Sequence, residues 1–294
     1  MVTPTCLRKI LLADDGSEHA RAAIQLLQKL PLPADTHITV LRVFGSQQAS
    51  ELSTLEAAVK ATCDLLLRQG LQTDLELILG QPAEKIIEYA DEHHPDMIVL
   101  GAKGLRATLG ILLGGVAQQV VEYASCPVLV VRAPLKKLHR VLLVIDSSPY
   151  SQLAAECLAR FPLPDKAEMR VMHVLPPQYQ VIATEMPYGH TFEQPLMITE
   201  EIARQRATEE EEGHRLLERM AGILAAGRLP VKTVLKRGDA ATEIIAYVQK
   251  NQVDLIVAGS RGLSQMRSWL LGSVSRKLVH YSNCSVLVVR KSEP

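Results

Sequence analysis

Neither sign of charge predominates in this 294-residue chain: 32 Lys and Arg are matched by 32 Asp and Glu. A balanced chain offers no summed positive field to hold a nucleic-acid backbone or an anionic membrane surface, so neither is an expected partner. Long hydrophobic runs are lacking as well. None approaches the ~20 apolar residues that span a bilayer. The opening MVTPTCLRKI leads into a strand-like segment without the apolar stretch of a secretory signal, so the expected compartment is the cytoplasm. Cysteine is sparse and unpaired: Cys6, Cys63, Cys126, Cys157 and Cys284 are odd in number and show no CxxC spacing. That excludes a disulfide framework and a zinc site and leaves buried, reduced thiols. Catalytic signatures are absent too, with no GxxxxGK[ST], HExxH or GxSxG and no Ser/His/Asp set that spacing can nominate. No committed catalyst is legible, and His93 and His94, before Pro95, have no companion at ligand spacing.

What is present is an ordinary globular composition, 47% hydrophobic and 22% charged, in a chain long enough for two domains. A repeat decides how they are built. DMIVLGAKGLRATLGILLGGVAQQVVEYASCPVLVVR, from Asp96, returns as DLIVAGSRGLSQMRSWLLGSVSRKLVHYSNCSVLVVR, from Asp254. About half the positions from Gly101 to Arg132 recur without a gap, the mark of a tandem duplication. RKILLADDGSEHA around Asp15 returns more loosely as HRVLLVIDSSPYS around Asp146. The second copy is longer between these anchors, and the extra length falls in the Pro- and Tyr-containing stretch Pro176 to Glu201, which reads as a long loop. The first copy has only Gly45 to Ser50 there. The join falls near Ala133 to Leu138, giving domains 1–135 and 136–294.

Within each copy, short β-branched runs, apolar throughout, alternate with helical patterns, as expected of parallel strands covered on both faces. Strands are expected near 8–14, 37–44, 72–79, 97–101 and 127–132, with helices near 17–29, 51–69, 82–93 and 115–124. In the second copy, strands are expected near 139–146, 168–175, 231–237, 254–258 and 285–290, and helices near 149–160, 199–226, 240–251 and 273–281. Strict alternation with right-handed crossovers gives two tandem doubly wound α/β sandwiches, each on a parallel five-stranded sheet. The Glu- and Arg-rich helix from Ile198 to Gly227 reads as a solvated face.

Each fourth strand ends in a glycine that opens the spacing Gly-x2-Gly-x9-Gly: Gly101, Gly104, Gly114, then Gly259, Gly262, Gly272. Glycine lets the backbone approach a ligand closely, and the last glycine of each set opens a helix whose free N–H groups favour an anion. In open parallel sheets a ligand lies at the carboxyl ends of the strands, where the strand order reverses. The ends of the first strands, at Asp15 and Asp146, and of the fourth flank that crevice. The same glycines also suit tight packing, and the two aspartates also suit helix capping. Trp269, the single tryptophan, lies inside the nine-residue stretch as an apolar anchor and a fluorescence reporter.

On these motifs the chain resembles a tandem member of the universal stress protein family, over nearly its whole length. The family signature is Gly-x2-Gly-x9-Gly followed by Ser or Thr, with an Asp ending the first strand. The resemblance implies an adenine nucleotide α-hydrolase-like fold with strand order 3-2-1-4-5, which binds ATP in some members and not in others. It would set adenine and ribose against Asp146, Val174, Ala258 and Gly259, and phosphates on Gly262, Gly272, Ser273, Val274 and Ser275, with Mg²⁺ as an accompanying ion. The residues themselves add Arg261, a cation near enough in sequence to approach a polyphosphate. In the first copy Asp15, Val43, Gly101, Gly104 and Gly114 mark a weaker counterpart. There Gly115 and Ala117 replace both hydroxyls, each worth about 1.5–3 kcal/mol to a charged group, so weak or no binding is expected. The family resemblance makes ATP a setter of conformation or partner binding more than a fuel, with at most slow hydrolysis.

The last strands, CPVLVVR and CSVLVVR, would be apolar edges and invite pairing. In one-domain family members the corresponding strand forms an antiparallel dimer contact. Duplication would let residues 128–131 and 286–289 pair inside one chain, and the whole chain could dimerise further. Two functions stay open: a nucleotide-responsive stress protein, or a scaffold or small-molecule sensor that keeps the fold without ATP.

Overall fold

The computed structural model describes residues 7–104, 113–135, 137–177, 195–225, 231–262 and 271–291. Along the first half run β1 (Lys9–Ala13), α1 (Glu18–Lys29), β2 (His37–Phe44), a 3₁₀ turn (Ser46–Glu51), α2 (Leu52–Leu67), β3 (Gln72–Leu79), α3 (Pro82–His93), β4 (Met97–Gly101), α4 (Gly115–Tyr123) and β5 (Val128–Val131). The second half repeats them as β6 (Arg140–Ile145), α5 (Pro149–Arg160), β7 (Glu168–Leu175), α6 (Pro195–Ala225), β8 (Val231–Arg237), α7 (Ala240–Asn251), β9 (Leu255–Gly259), α8 (Ser273–Tyr281) and β10 (Ser285–Val289).

The ten strands form one sheet in the order β3-β2-β1-β4-β5-β10-β9-β6-β7-β8. Each half therefore has the expected order 3-2-1-4-5, with every pairing inside a half parallel. The halves meet where β5 and β10 pair antiparallel, Val130 opposite Val286 and Val128 opposite Val288. The two expected sheets are thus one, because the apolar edge of each half is covered by the other.

The strands are apolar throughout because both sheet faces are buried. Ile10, Leu12, Leu129, Val131, Leu143 and Leu287 face one core, which α1, α2, α5 and α6 cover. Leu11, Val128, Val130, Leu142 and Val286 face the other, beneath α3, α4, α7 and α8. Local chemistry sets the helix ends. Ser17 and Ser148 cap α1 and α5, Asp239 caps α7, and Pro82 and Pro149 open their helices where no N–H is needed.

One boundary differs from the sequence reading. Helix α6 begins at Pro195, so the last part of the stretch taken as a loop is helical. Proline is well placed at the first turn of a helix, and a pattern search that treats it as a breaker starts the helix too late. The remainder of that stretch, 178–194, and Trp269 lie outside the described residues.

Arginines lock the halves together. Arg132, after β5, donates to the carbonyls of Val279 (2.8 Å) and His280 (3.1 Å) at the end of α8. Its counterpart Arg290 donates to Val121, Glu122 and Ala124 at the end of α4. A guanidinium on the last carbonyls of a helix satisfies orphan acceptors and complements the helix dipole. Arg276 of α8 also pairs with Glu122 of α4 at 3.0 Å.

Candidate functional site

The sequence places the two glycine series after β4 and β9, and the fold brings them beside the ends of β1 and β6. Gly101 and Gly259 end their strands against the starts of α1 and α5. A Cβ on Gly101 would meet His19 and Ala20 backbone at 2.8 Å, and one on Gly259 would meet Tyr150 backbone at 2.8 Å. At these two positions tight packing alone demands glycine, and the protein itself fills the adjoining space. Gly104 and Gly262 differ: a Cβ there would lie 2.6 Å from a carboxylate oxygen of Asp15 or Asp146. Both aspartates therefore lie directly against the second glycine of their series, where a side chain would displace the carboxylate.

Neither aspartate caps a helix, the alternative open from sequence. Each instead holds the turn before its helix, Asp15 accepting from the amide of Ser17 at 3.0 Å and Asp146 from that of Ser148 at 2.9 Å. The caps are Ser17 and Ser148, which also donate to the carbonyls of Lys103 (3.1 Å) and Arg261 (3.4 Å). One hydroxyl in each half thus ties a helix start to the glycine turn facing it. Sequence reasoning passed over both serines, although a Ser two residues after an acidic strand end and before Pro149 is an N-cap signal.

The third glycines, Gly114 and Gly272, precede α4 and α8 and receive no side-chain cap. Each donates its amide to the strand-end turn, Gly114 to Ala102 and Gly272 to Ser260, both at 2.8 Å. Among the described residues, the amides of Ser273, Val274 and Ser275 have no protein acceptor. Ser273 is exposed, while Val274 is half-buried against the core.

Ser275 departs from its expected role. It is 6% exposed and donates its only proton to the carbonyl of Gly259 at 2.7 Å. Its position, one turn inside α8, aims the hydroxyl back at β9, so of the two serines only Ser273 keeps an exposed side chain. Ala117 occupies the matching place in α4. Val43 and Val174 pack half-buried near the ends of β2 and β7, and Ala258 is a core residue beneath the crevice, 4% exposed.

Arg261 hydrogen-bonds the hydroxyl of Tyr150 at 2.7 Å, and its guanidinium lies 5.2 Å from that ring's centre. Among the described residues no carboxylate pairs with it. A tyrosine hydroxyl and ring hold the cation without neutralising it. Tyr150 is a further residue that sequence reasoning missed, since contact with position 261 joins elements far apart in the chain. In the first half His19 takes the place of Tyr150 and Lys103 that of Arg261. His19 Nδ1 accepts from the amide of Ala133 at 2.9 Å, and burial together with the charge of Lys103 holds its pKa below the usual histidine value.

Among the described residues no cluster of His, Cys, Asp and Glu could hold a metal ion, and no helix is long and apolar enough to cross a membrane.

Comparison with known proteins adds the ancestry. The model of the universal stress protein family matches residues 7–132 and again residues 137–290. A universal stress protein of Bacillus subtilis is 32% identical over 152 residues, covering 52% of this chain and 99% of that protein. One from Mycolicibacterium smegmatis is 27% identical over 306 residues, covering 96% of each. Among solved structures, a universal stress protein from Archaeoglobus fulgidus superposes with a TM-score of 0.61 at 21% identity, again covering 96% of both chains.

Proposed function

The chain belongs to the universal stress protein family, and from that premise we propose that it binds ATP in the crevice of its second half and uses nucleotide state to alter its conformation or its interactions. The observation that carries this reading is the start of α8. Among the described residues, three amides there lack protein acceptors and stand beside Arg261, a cation with no carboxylate partner among them. A helix N-terminus with an unneutralised guanidinium suits a polyphosphate, since the amides supply directed donors and the arginine supplies charge.

In this reading the phosphates lie on the amides of Gly262, Ser273 and Val274 and on the Ser273 hydroxyl, with Gly272 giving room for their approach while its own amide stays on the Ser260 carbonyl. Ser275 contributes only its amide, because its hydroxyl belongs to Gly259. Adenine and ribose take the side lined by Asp146 and Val174. Mg²⁺ accompanies the phosphates as a counter-ion.

The first half keeps an uncapped helix start and a cation, Lys103, but it has Gly115 and Ala117 where the second has serines. We assign it weak or no nucleotide binding. Isothermal calorimetry with Mg-ATP, beside native mass spectrometry of freshly purified protein, tests the proposal. One nucleotide per chain, lost on Arg261→Glu, is expected. Absence of heat at millimolar ATP, or co-purification of an unrelated small molecule, would favour the scaffold or sensor instead.

A further inference from the structure

The two copies of the fold supply a comparison at every position of the crevice, and one difference is buried. Asp146 meets Ser151 twice: the Asp146 amide donates to Ser151 Oγ at 2.8 Å, and that hydroxyl donates to Asp146 Oδ1 at 2.7 Å. With the Ser148 amide also on Oδ1 at 2.9 Å, this oxygen has two donors. Oδ2 receives none among the described residues and faces Gly262.

We propose that Ser151 is a positioning residue that fixes the Asp146 carboxylate so that Oδ2 is presented to the crevice as a hydrogen-bond acceptor. The proposal rests on the nucleotide reading for the identity of the ligand, though the positioning itself does not.

The first half shows that the fold does not need this hydroxyl. Ala20 holds the equivalent place in α1, and it is 1% exposed where Ser151 is 3% exposed. The same turn of helix packs against the same strand with a methyl group. A buried hydroxyl costs free energy unless it is paired, so alanine is the simpler solution for packing. What the serine adds is orientation. The last torsion of an aspartate is broad, with no sharp rotamer wells, and one amide on Oδ1 leaves the carboxylate plane free to turn. A second donor reaching the same oxygen from one helical turn away fixes that plane.

The chemistry of the ligand group follows. A carboxylate oxygen aimed into a crevice repels phosphate and accepts from a neutral donor, a sugar hydroxyl or a base amino group. Asp146 and Ser151 therefore read the nucleoside end, while α8 and Arg261 read the charged end.

Two measurements test this. The first needs no ligand: crystal structures of the unliganded wild type and Ser151→Ala should show Asp146 turned away from Gly262 in the variant. An unmoved carboxylate would overturn the positioning role. The second compares ATP with inorganic tripolyphosphate by calorimetry in wild type, Ser151→Ala, Asp146→Ala and the double variant. Ser151→Ala should weaken ATP by about tenfold, spare tripolyphosphate, and add nothing in the Asp146→Ala background, because coupled residues are non-additive. Equal weakening of both ligands, or additive losses, would mean that Ser151 acts as general scaffolding and would overturn the proposal. If wild type binds no ATP while the unliganded carboxylate still turns, the nucleotide reading fails and the positioning stands.

Discussion

Two serines two residues apart should behave oppositely when each is replaced by alanine. Ser273 is exposed at the start of α8 and has no hydrogen bond to the protein among the described residues, so its loss costs the fold almost nothing. If it meets a phosphate oxygen, Ser273→Ala removes one hydrogen bond to a charged group, about 1.5–3 kcal/mol, and weakens ATP roughly 10- to 150-fold. Ser275 is buried with its proton on the Gly259 carbonyl at 2.7 Å. Ser275→Ala removes a neutral internal bond and leaves a carbonyl unpaired at the end of β9, which costs stability about 1–2 kcal/mol. Ala117 in α4 shows that the methyl group itself fits, so no steric penalty adds to that figure. Urea unfolding followed by far-ultraviolet circular dichroism reads the stability, and calorimetry with Mg-ATP reads the affinity. Loss of ATP binding in Ser275→Ala at wild-type stability would refute the assignment of its hydroxyl to Gly259.

Gly259→Ala should destabilise the protein by about 1–3 kcal/mol in urea, because the new Cβ meets the Tyr150 backbone at 2.8 Å and neither neighbour can rotate away. Gly272→Ala should cost less, its nearest contact being the Arg261 Cα at 3.3 Å, but Gly272→Val would press on the Arg261 turn and so is a poor probe of phosphate binding. Arg132→Met should lower stability by about 2–4 kcal/mol, since two carbonyls at the end of α8 lose a charged donor; unchanged urea midpoints would deny these contacts any role in joining the halves. The pKa of His19 is lowered on folding, so the unfolded chain takes up its proton first. Its contribution is full above the unfolded value of about 6.5 and is lost as pH falls toward the folded value, so stability rises with pH across that window. Urea midpoints measured from pH 5 to 8 should show this slope reduced in His19→Gln, and an identical slope in that variant would refute it.

Every strand and helix expected from periodicity is present, because a parallel sheet buried on both faces imprints continuous apolar runs such as KILLA and RVLLVI on the sequence. The pairing of β5 with β10 was equally legible: two strongly apolar edges in one duplicated chain have each other as the simplest cover. The crevice was legible in outline only. Gly-x2-Gly-x9-Gly marks where the backbone comes close to something, yet it does not say whether that something is a ligand or Tyr150. The roles of Ser151, Ser148 and Tyr150 depend on which face of α5 meets which turn, and that is settled by packing between elements more than a hundred residues apart. Ser275 misled for a related reason. Following glycine at a helix start, it has the residue type of a phosphate donor, and only its rotation about the helix axis directs it inward.

The asymmetry between the halves follows from where the duplication imposed constraints. Along β5 and β10 each residue serves the other half, so Val128 to Val131 and Val286 to Val289 stay interchangeable, and Arg132 and Arg290 close matching helix ends. A change on one side there is felt by both. The crevices lie at the carboxyl ends of the strands, away from that seam, and no residue of one reaches the other among the described contacts. Ala20, Gly115 and Ala117 could therefore part from Ser151, Ser273 and Ser275 without disturbing the join. If so, Gly115→Ser, at an exposed position at the start of α4, should leave the unfolding free energy within about 0.5 kcal/mol of wild type, as surface and independent substitutions do. A larger loss would mean that the crevices are mechanically linked through the shared sheet, and that the absence of a hydroxyl at 115 serves stability.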